Sequence, residues 1–112
     1  MAQVIWTEPA LTDLDRIAEY IALDKESAAK KLVQQLFIAV EHLELFPESG
    51  RKPPELEASS RYREIVIGPC RVFYRNDQNN IYILFVMRSE RVLRKYLIDE
   101  RIDDGDTNNP NA

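Results

Sequence analysis

Cys70-Arg71-Val72-Phe73-Tyr74-Arg75-Asn76-Asp77-Gln78-Asn79-Asn80-Ile81-Tyr82-Ile83-Leu84-Phe85-Val86-Met87-Arg88 reads as two strands and the turn between them. Aromatic and β-branched residues dominate both arms, and the polar run Asn76 to Asn80 marks the turn. In the first arm, alternation puts Arg71, Phe73 and Arg75 on one face and Cys70, Val72 and Tyr74 on the other. The second arm is apolar on both faces, with Ile81, Ile83, Phe85 and Met87 on one and Tyr82, Leu84 and Val86 on the other. Such a strand needs cover front and back. One layer of helices supplies only one cover, so the second must come from the chain's own end or from a partner.

Upstream, Tyr62 to Ile67 alternates and ends at Gly68-Pro69, which completes a three-stranded meander. Residues 47–60 contain Pro47, Pro53, Pro54 and Gly50 and read as a loop. Before the loop, two helical stripes are legible. Leu11, Leu14, Ile17, Ala18 and Ile21 form the first, with Thr7 as N-cap and Pro9 in the first turn. Ala29, Leu32, Val33, Leu36, Val40 and Leu43 form the second, after a polar break in which Asp24 and Ser27 are candidate caps. The run Leu36 to Val40 is apolar all round and predicts cover on more than one side. So short a break predicts an antiparallel helical hairpin.

Gln3 to Trp6 is short and β-prone, and reads as a first strand. After Arg88, Val92, Leu93, Tyr96 and Leu97 suggest a short helix. The fold class is therefore α+β. An antiparallel sheet, made of the N-terminal strand plus the meander, packs on a helical hairpin in the order βααβββ, with a short C-terminal helix. Residues 1–98 form one domain, and the acidic, Asn-rich residues 99–112 are expected to be a disordered tail.

Composition narrows function by exclusion. No apolar run approaches the roughly 20 residues that span a bilayer. No basic, apolar leader opens the chain, and one cysteine, Cys70, cannot form an internal disulfide. A cytoplasmic location is the expectation. His42 is the single histidine, so no zinc site, Ser-His-Asp triad or Cys-His pair is expected. Three glycines make no phosphate-cradling loop. No cofactor and no metal are expected. Glu41, Glu44 and Glu48 have the spacing of a solvated helix face.

Charge is segregated. Residues 1–60 carry 6 Lys+Arg against 11 Asp+Glu, residues 61–98 carry 8 against 3, and residues 99–112 carry 1 against 5. The basic block places Arg61, Arg63, Arg71, Arg75, Arg88, Arg91 and Arg94 on or beside the meander, with Lys95 and four interleaved tyrosines, Tyr62, Tyr74, Tyr82 and Tyr96. Guanidinium groups on a rigid sheet suit bidentate grip on phosphate or carboxylate. Three readings stay open from the residues alone. The sheet binds nucleic acid, with or without cleaving it, or it binds an acidic protein segment, or the arginines pair with Glu64, Asp77 and Glu90 and do nothing else.

Local wording adds a resemblance. Trp6-Thr7-Glu8-Pro9-Ala10, Asp13-Leu14, Ile17-Ala18-Glu19-Tyr20-Ile21, Phe46-Pro47-Glu48-Ser49-Gly50-Arg51, Tyr62-Arg63-Glu64-Ile65, Arg71 to Arg75 and Ile81 to Arg88 come in the order seen in the RelE/ParE toxin superfamily. The chain resembles that family over about residues 3–97, and more closely its ParE-like branch. The resemblance implies a plasmid- or chromosome-borne toxin of a type II toxin–antitoxin pair, associated with plasmid stabilization. It would be held inactive in a hetero-oligomer by a cognate antitoxin that wraps the toxin and covers the doubly apolar strand.

ParE-like members inhibit DNA gyrase by binding, and RelE-like members are ribosome-dependent endoribonucleases that cut mRNA. A pI near 5.0 is poor for a surface that faces ribosomal phosphate, although the acidic tail lowers the value of an otherwise neutral domain. Arg88-Ser89-Glu90-Arg91 is similar to the basic turn of ParE-like members. The binding-type reading is thus preferred and no catalytic residue is assigned. Partner-binding residues are expected to be Arg63, Arg71, Arg75, Tyr82, Leu84, Val86, Arg88 and Arg91, with Arg88 and Arg91 facing the target. In the nuclease alternative, Arg61, Arg71, Arg88 and Tyr96 would form the working set.

Overall fold

A computed structural model describes residues 2–89, 93 and 97–101 of the chain. The elements are β1 (Gln3–Trp6), α1 (Glu8–Asp24), α2 (Glu26–Glu41), β2 (Tyr62–Ile67), β3 (Cys70–Asp77) and β4 (Asn80–Arg88). A single 3-10 turn, His42–Glu44, ends α2, and residues 97–101 are helical. The fold is α+β with the element order expected from the sequence.

Thr7 caps α1 and also anchors it. Its hydroxyl accepts from the Ala10 N–H at 3.4 Å and donates to the Ile83 carbonyl at 2.7 Å, fixing where the helix leaves the sheet. Pro9 lies in the first turn, where its missing N–H costs nothing. Only Lys25 separates the two helices, and it serves as the N-cap of α2 without a side-chain bond. Neither Asp24 nor Ser27 caps: Asp24 is still in α1 and Ser27 is already in α2.

The sheet order is β1-β4-β3-β2. β2, β3 and β4 form the antiparallel meander, but β1 runs parallel to β4, with Gln3 opposite Asn80 and Trp6 opposite Ile83. The sheet is therefore mixed rather than wholly antiparallel. The reason is connectivity: the two helices form a crossover between β1 and the meander, and a crossover of this length permits parallel pairing. The β3–β4 hairpin is also tighter than the polar run suggested. Asp77 pairs with Asn80, and Gln78 at the turn adopts φ 53°. A β-carbon is disfavoured there, so Gln78→Gly is expected to raise stability by about 0.5–1 kcal/mol, read as a higher denaturation midpoint.

β4 contains the departure that matters most. Phe73 pairs with Phe85 but Tyr74 pairs with Ile83, so Leu84 is an extra residue in a β-bulge. The bulge exchanges the two faces of β4. Ile81, Ile83 and Val86 join Cys70, Val72 and Tyr74 against Leu14, Leu32, Leu36 and Val40 of the helices. Phe85 and Met87 point to the rear face with Phe73. Strict alternation had placed Ile81, Ile83, Phe85 and Met87 together, and the extra residue is why they are not.

The rear face is already sealed. Leu93 and Ile98, with Leu56 of the loop, Tyr62 and Leu97 beside them, close over Phe73, Phe85 and Met87. Phe73 and Phe85 meet edge to face, with centroids 6.1 Å apart. Burying side chains of this size contributes about 1.5–3 kcal/mol each. The chain's own end thus supplies the second cover of β4, and this geometry does not need a partner to supply it. The helical turn runs to residue 101, past the boundary drawn at 98; residues 102–112 lie outside the described residues. On the helical side, the run Leu36 to Val40 is covered on one side only, because Ile38 is 68% exposed.

Candidate functional site: an arginine-centred rear face and an open flank

Alternation along β3 carries Arg71 and Arg75 to the rear face, under the loop and the C-terminal segment. Arg71 is 5% exposed, so its charge must be met inside the protein. Two glutamates meet it. Glu64 on β2, 1% exposed, accepts from Arg71 Nη2 at 2.6 Å and Nε at 3.1 Å. Glu55 in the loop accepts both Nη1 and Nη2 at 2.8 Å in a fork. Glu64 takes a further bond from Arg51 Nε at 2.5 Å, and Glu55 one from the Leu93 N–H at 2.9 Å. One guanidinium therefore ties β3, β2, the loop and the C-terminal segment into a single unit.

The Arg71 fork holds the Glu55 carboxyl well below its ordinary 4.5, at about 2, against the opposing pull of desolvation. In turn, Glu55 first and then Glu64 raise the Arg71 guanidinium above its already high value. The sign for stability follows. A carboxyl whose folded value is depressed stabilises the fold fully above its ordinary value and loses that contribution as pH falls toward the folded one. The docking of Leu93 and the loop is expected to weaken between pH about 4.5 and 2, and Glu55→Gln should flatten this part of the acid-denaturation curve.

The remaining described arginines of the meander are dispersed. Arg75 lies over the Tyr82 ring at 5.2 Å and 4.0 Å from Asp77. Arg63, on the helical face, donates to the Gly50 carbonyl at 2.8 Å and the Glu48 carbonyl at 3.3 Å, holding the loop entry. Arg61 is exposed beside the loop. Arg88 follows Met87 in alternation and so faces the helices, where its guanidinium lies 5.1 Å from the Tyr20 ring of α1. Arg91 and Tyr96 lie outside the described residues, as do Arg94 and Lys95. Tyr82, Leu84 and Val86 are buried, at 9%, 0% and 2% exposure; Val86 lies against the helices and Arg75 lies over the Tyr82 ring. Burial raises the phenols of Tyr62 and Tyr74 above their ordinary value.

Of the nuclease set, the structure does not bring Arg71 and Arg88 together: they project from opposite faces of the sheet, with Arg71 committed to two carboxylates. His42 stacks on Phe46 at 4.8 Å. Among the described residues, no three His, Cys, Asp or Glu side chains are grouped to hold a metal ion.

Three residues that sequence reasoning did not single out organise this surface. Glu55 sits in an irregular loop, where no periodicity marks it. Asp13 and Arg101 form a second, half-buried pair, 2.8 Å apart at both oxygens, beside the β4 bulge. Arg101 did carry a signal, as the lone basic residue of an acidic stretch.

Residues 4–93 match the family model described as the ParE toxin of the type II toxin–antitoxin system parDE. The chain belongs to the ParE toxin family. Known proteins agree with this. Toxin RelE2 of Caulobacter vibrioides is 39% identical over 69 residues, covering 62% of this chain and 73% of RelE2. Y4kP of Sinorhizobium fredii is 34% identical over 91 residues, covering 80% of this chain and 90% of Y4kP. A solved structure titled "Chromosomal ParDE TA system from P. aeruginosa" superposes with TM-score 0.65 at 27% identity, covering 79% of this chain and 96% of that one. This ParE-family protein is therefore the toxin type of a type II pair, and the family implies a cognate antitoxin. No helix among the described residues is long and apolar enough to cross a membrane.

Proposed function

We propose that this ParE-family toxin acts in the cytoplasm by binding DNA gyrase, cuts nothing itself, and is neutralised by its antitoxin. One observation carries the reading: among the described residues, Arg71 and Arg88 do not converge. Arg71, one of two buried arginines of β3, is held by Glu55 and Glu64, and Arg88 points the other way. Phosphoryl chemistry needs cations and a proton carrier around one phosphate, whereas a binding toxin needs exposed anchors. Anchors are present. Tyr20 at 61% exposure underlies Arg88, and Tyr and Arg are the side chains that dominate binding energy at protein interfaces. Ile38, Leu45 and Phe46 leave further apolar surface for a partner to cover.

Inducing the chain without its antitoxin tests the reading. DNA-damage signalling and filamentous cells are expected, with intact mRNA; immediate translation arrest with cleaved mRNA would instead establish the ribonuclease reading. Arg88→Ala is expected to change folding stability by no more than about 1 kcal/mol, since the ring contact is on the surface. The same change should weaken gyrase binding about tenfold or more, as expected for an anchor worth 1.4 kcal/mol. Undiminished killing by Arg88→Ala would remove that residue from the contact surface.

A further inference from the structure

β1 stops at Trp6, opposite Ile83, while β4 continues to Arg88. From Leu84 onward β4 has β3 on one side, and no strand of the described residues on the other. An open strand edge presents backbone donors and acceptors that invite pairing. Here two of them are occupied by side chains. The Val86 N–H donates to Asp13 Oδ2 at 3.1 Å, and the Leu84 carbonyl accepts from Arg101 Nη1 at 3.3 Å. Asp13 and Arg101 also grip each other through two 2.8 Å bonds, and the guanidinium lies over the Phe85 ring at 4.5 Å. The carboxylate stands where a neighbouring strand's carbonyl would accept. The guanidinium stands where that strand's N–H would donate.

We propose that the β4 edge at Leu84–Val86 is a strand-addition site for an extended segment of the antitoxin, plugged in the isolated toxin by Asp13 and Arg101. The proposal rests on the reading that this chain has an antitoxin partner, and it deepens that reading by locating the contact. Backbone pairing replaces the plug with bonds of the same kind. The flanks specify the occupant. Side chains of an added strand alternate, and those on the helical side meet exposed Tyr20 with Arg88 above it. Those on the rear side meet Arg101, which loses its carboxylate when Asp13 is displaced. The segment that fits is therefore extended, with a carboxylate for Arg101 and an apolar or acidic residue beside Tyr20 and Arg88. In the isolated toxin the plug also denies the edge to a second copy.

Hydrogen exchange read at the Val86 amide tests this, with the toxin alone and bound to the antitoxin encoded beside it. In Asp13→Ala/Arg101→Ala the amide should exchange at least tenfold faster than in the native toxin alone. Antitoxin should restore the protection, and should bind the unplugged toxin several-fold more tightly. Should that double variant fail to fold, Asp13→Ala alone removes the acceptor of the Val86 N–H, and the same loss and restoration of protection are expected. Antitoxin that binds the variant yet leaves the Val86 amide at its unbound rate overturns the proposal. A native toxin that forms no antitoxin complex at all overturns the parent reading instead, and the two results are told apart because in the second nothing binds.

Discussion

Arg71→Ala is expected to cost about 3–5 kcal/mol of folding stability, because it strands the buried Glu64 carboxylate and releases Glu55 from its fork. For a domain whose whole stability is on the order of 5–15 kcal/mol, that is a third or more of the total. Urea denaturation checks it: the midpoint should fall sharply while the slope changes little. Arg71→Lys keeps the charge but not the fork, and should lie between. Adding Glu64→Gln to Arg71→Ala removes most of the orphaned charge and should return part of the loss. An Arg71→Ala protein as stable as the native one would mean that the guanidinium binds the two glutamates without holding the loop and the C-terminal segment. Arg71 and Arg88 separate by experiment on the proposed reading: loss of the first is expected to lower stability, loss of the second to lower killing.

Gly50→Ala is expected to cost about 3 kcal/mol. A β-carbon there would lie 2.6 Å from Tyr74 Oη, 2.7 Å from Tyr74 Cε1 and 2.7 Å from the Glu64 carbonyl oxygen. Neither neighbour can retreat. The Tyr74 hydroxyl is fixed at the centre of the loop entry, accepting from the Gly50 N–H at 3.0 Å and donating to the Pro47 carbonyl at 2.8 Å. The Glu64 carbonyl accepts from the Arg51 N–H at 2.9 Å. Tyr74→Phe alone should cost about 1–3 kcal/mol by leaving that donor and acceptor unmet. Combining the two tests the cause. If Gly50→Ala becomes harmless in the Tyr74→Phe background, the clash is with the hydroxyl only, and the backbone contact at Glu64 plays no part.

Much of this fold was legible because it rests on local period. The β3 alternation separates Arg71, Phe73 and Arg75 from Cys70, Val72 and Tyr74, as the burial of both sets shows. Thr7 and Pro9 mark the start of α1 as their chemistry dictates. What was not legible depends on residues far apart in the chain. A run such as Gln3 to Trp6 carries no sign of its direction in a sheet, so the parallel pairing of β1 could not be read. The Leu84 bulge is stabilised by Asp13 and Arg101, which lie at opposite ends of the sequence. The arginines were conspicuous as a group, yet which of them is consumed inside was set by Glu55, an unremarkable residue in a proline-rich loop. Rear cover by Leu93 and Ile98 was one of two outcomes the pattern allowed, and the choice between them required coordinates.

The pairing of Gln3–Trp6 with Asn80–Ile83 has a bearing on how the toxin is made. Strand β1 is synthesised well before its neighbour, since its ladder is completed only by Asn80–Ile83. Contacts so distant along the chain slow the search for the native state, and synthesis adds its own delay. A polypeptide released before Asn80 has no β4, hence no site for β1 and no support for α1. Interrupted translation therefore yields fragments without the finished sheet.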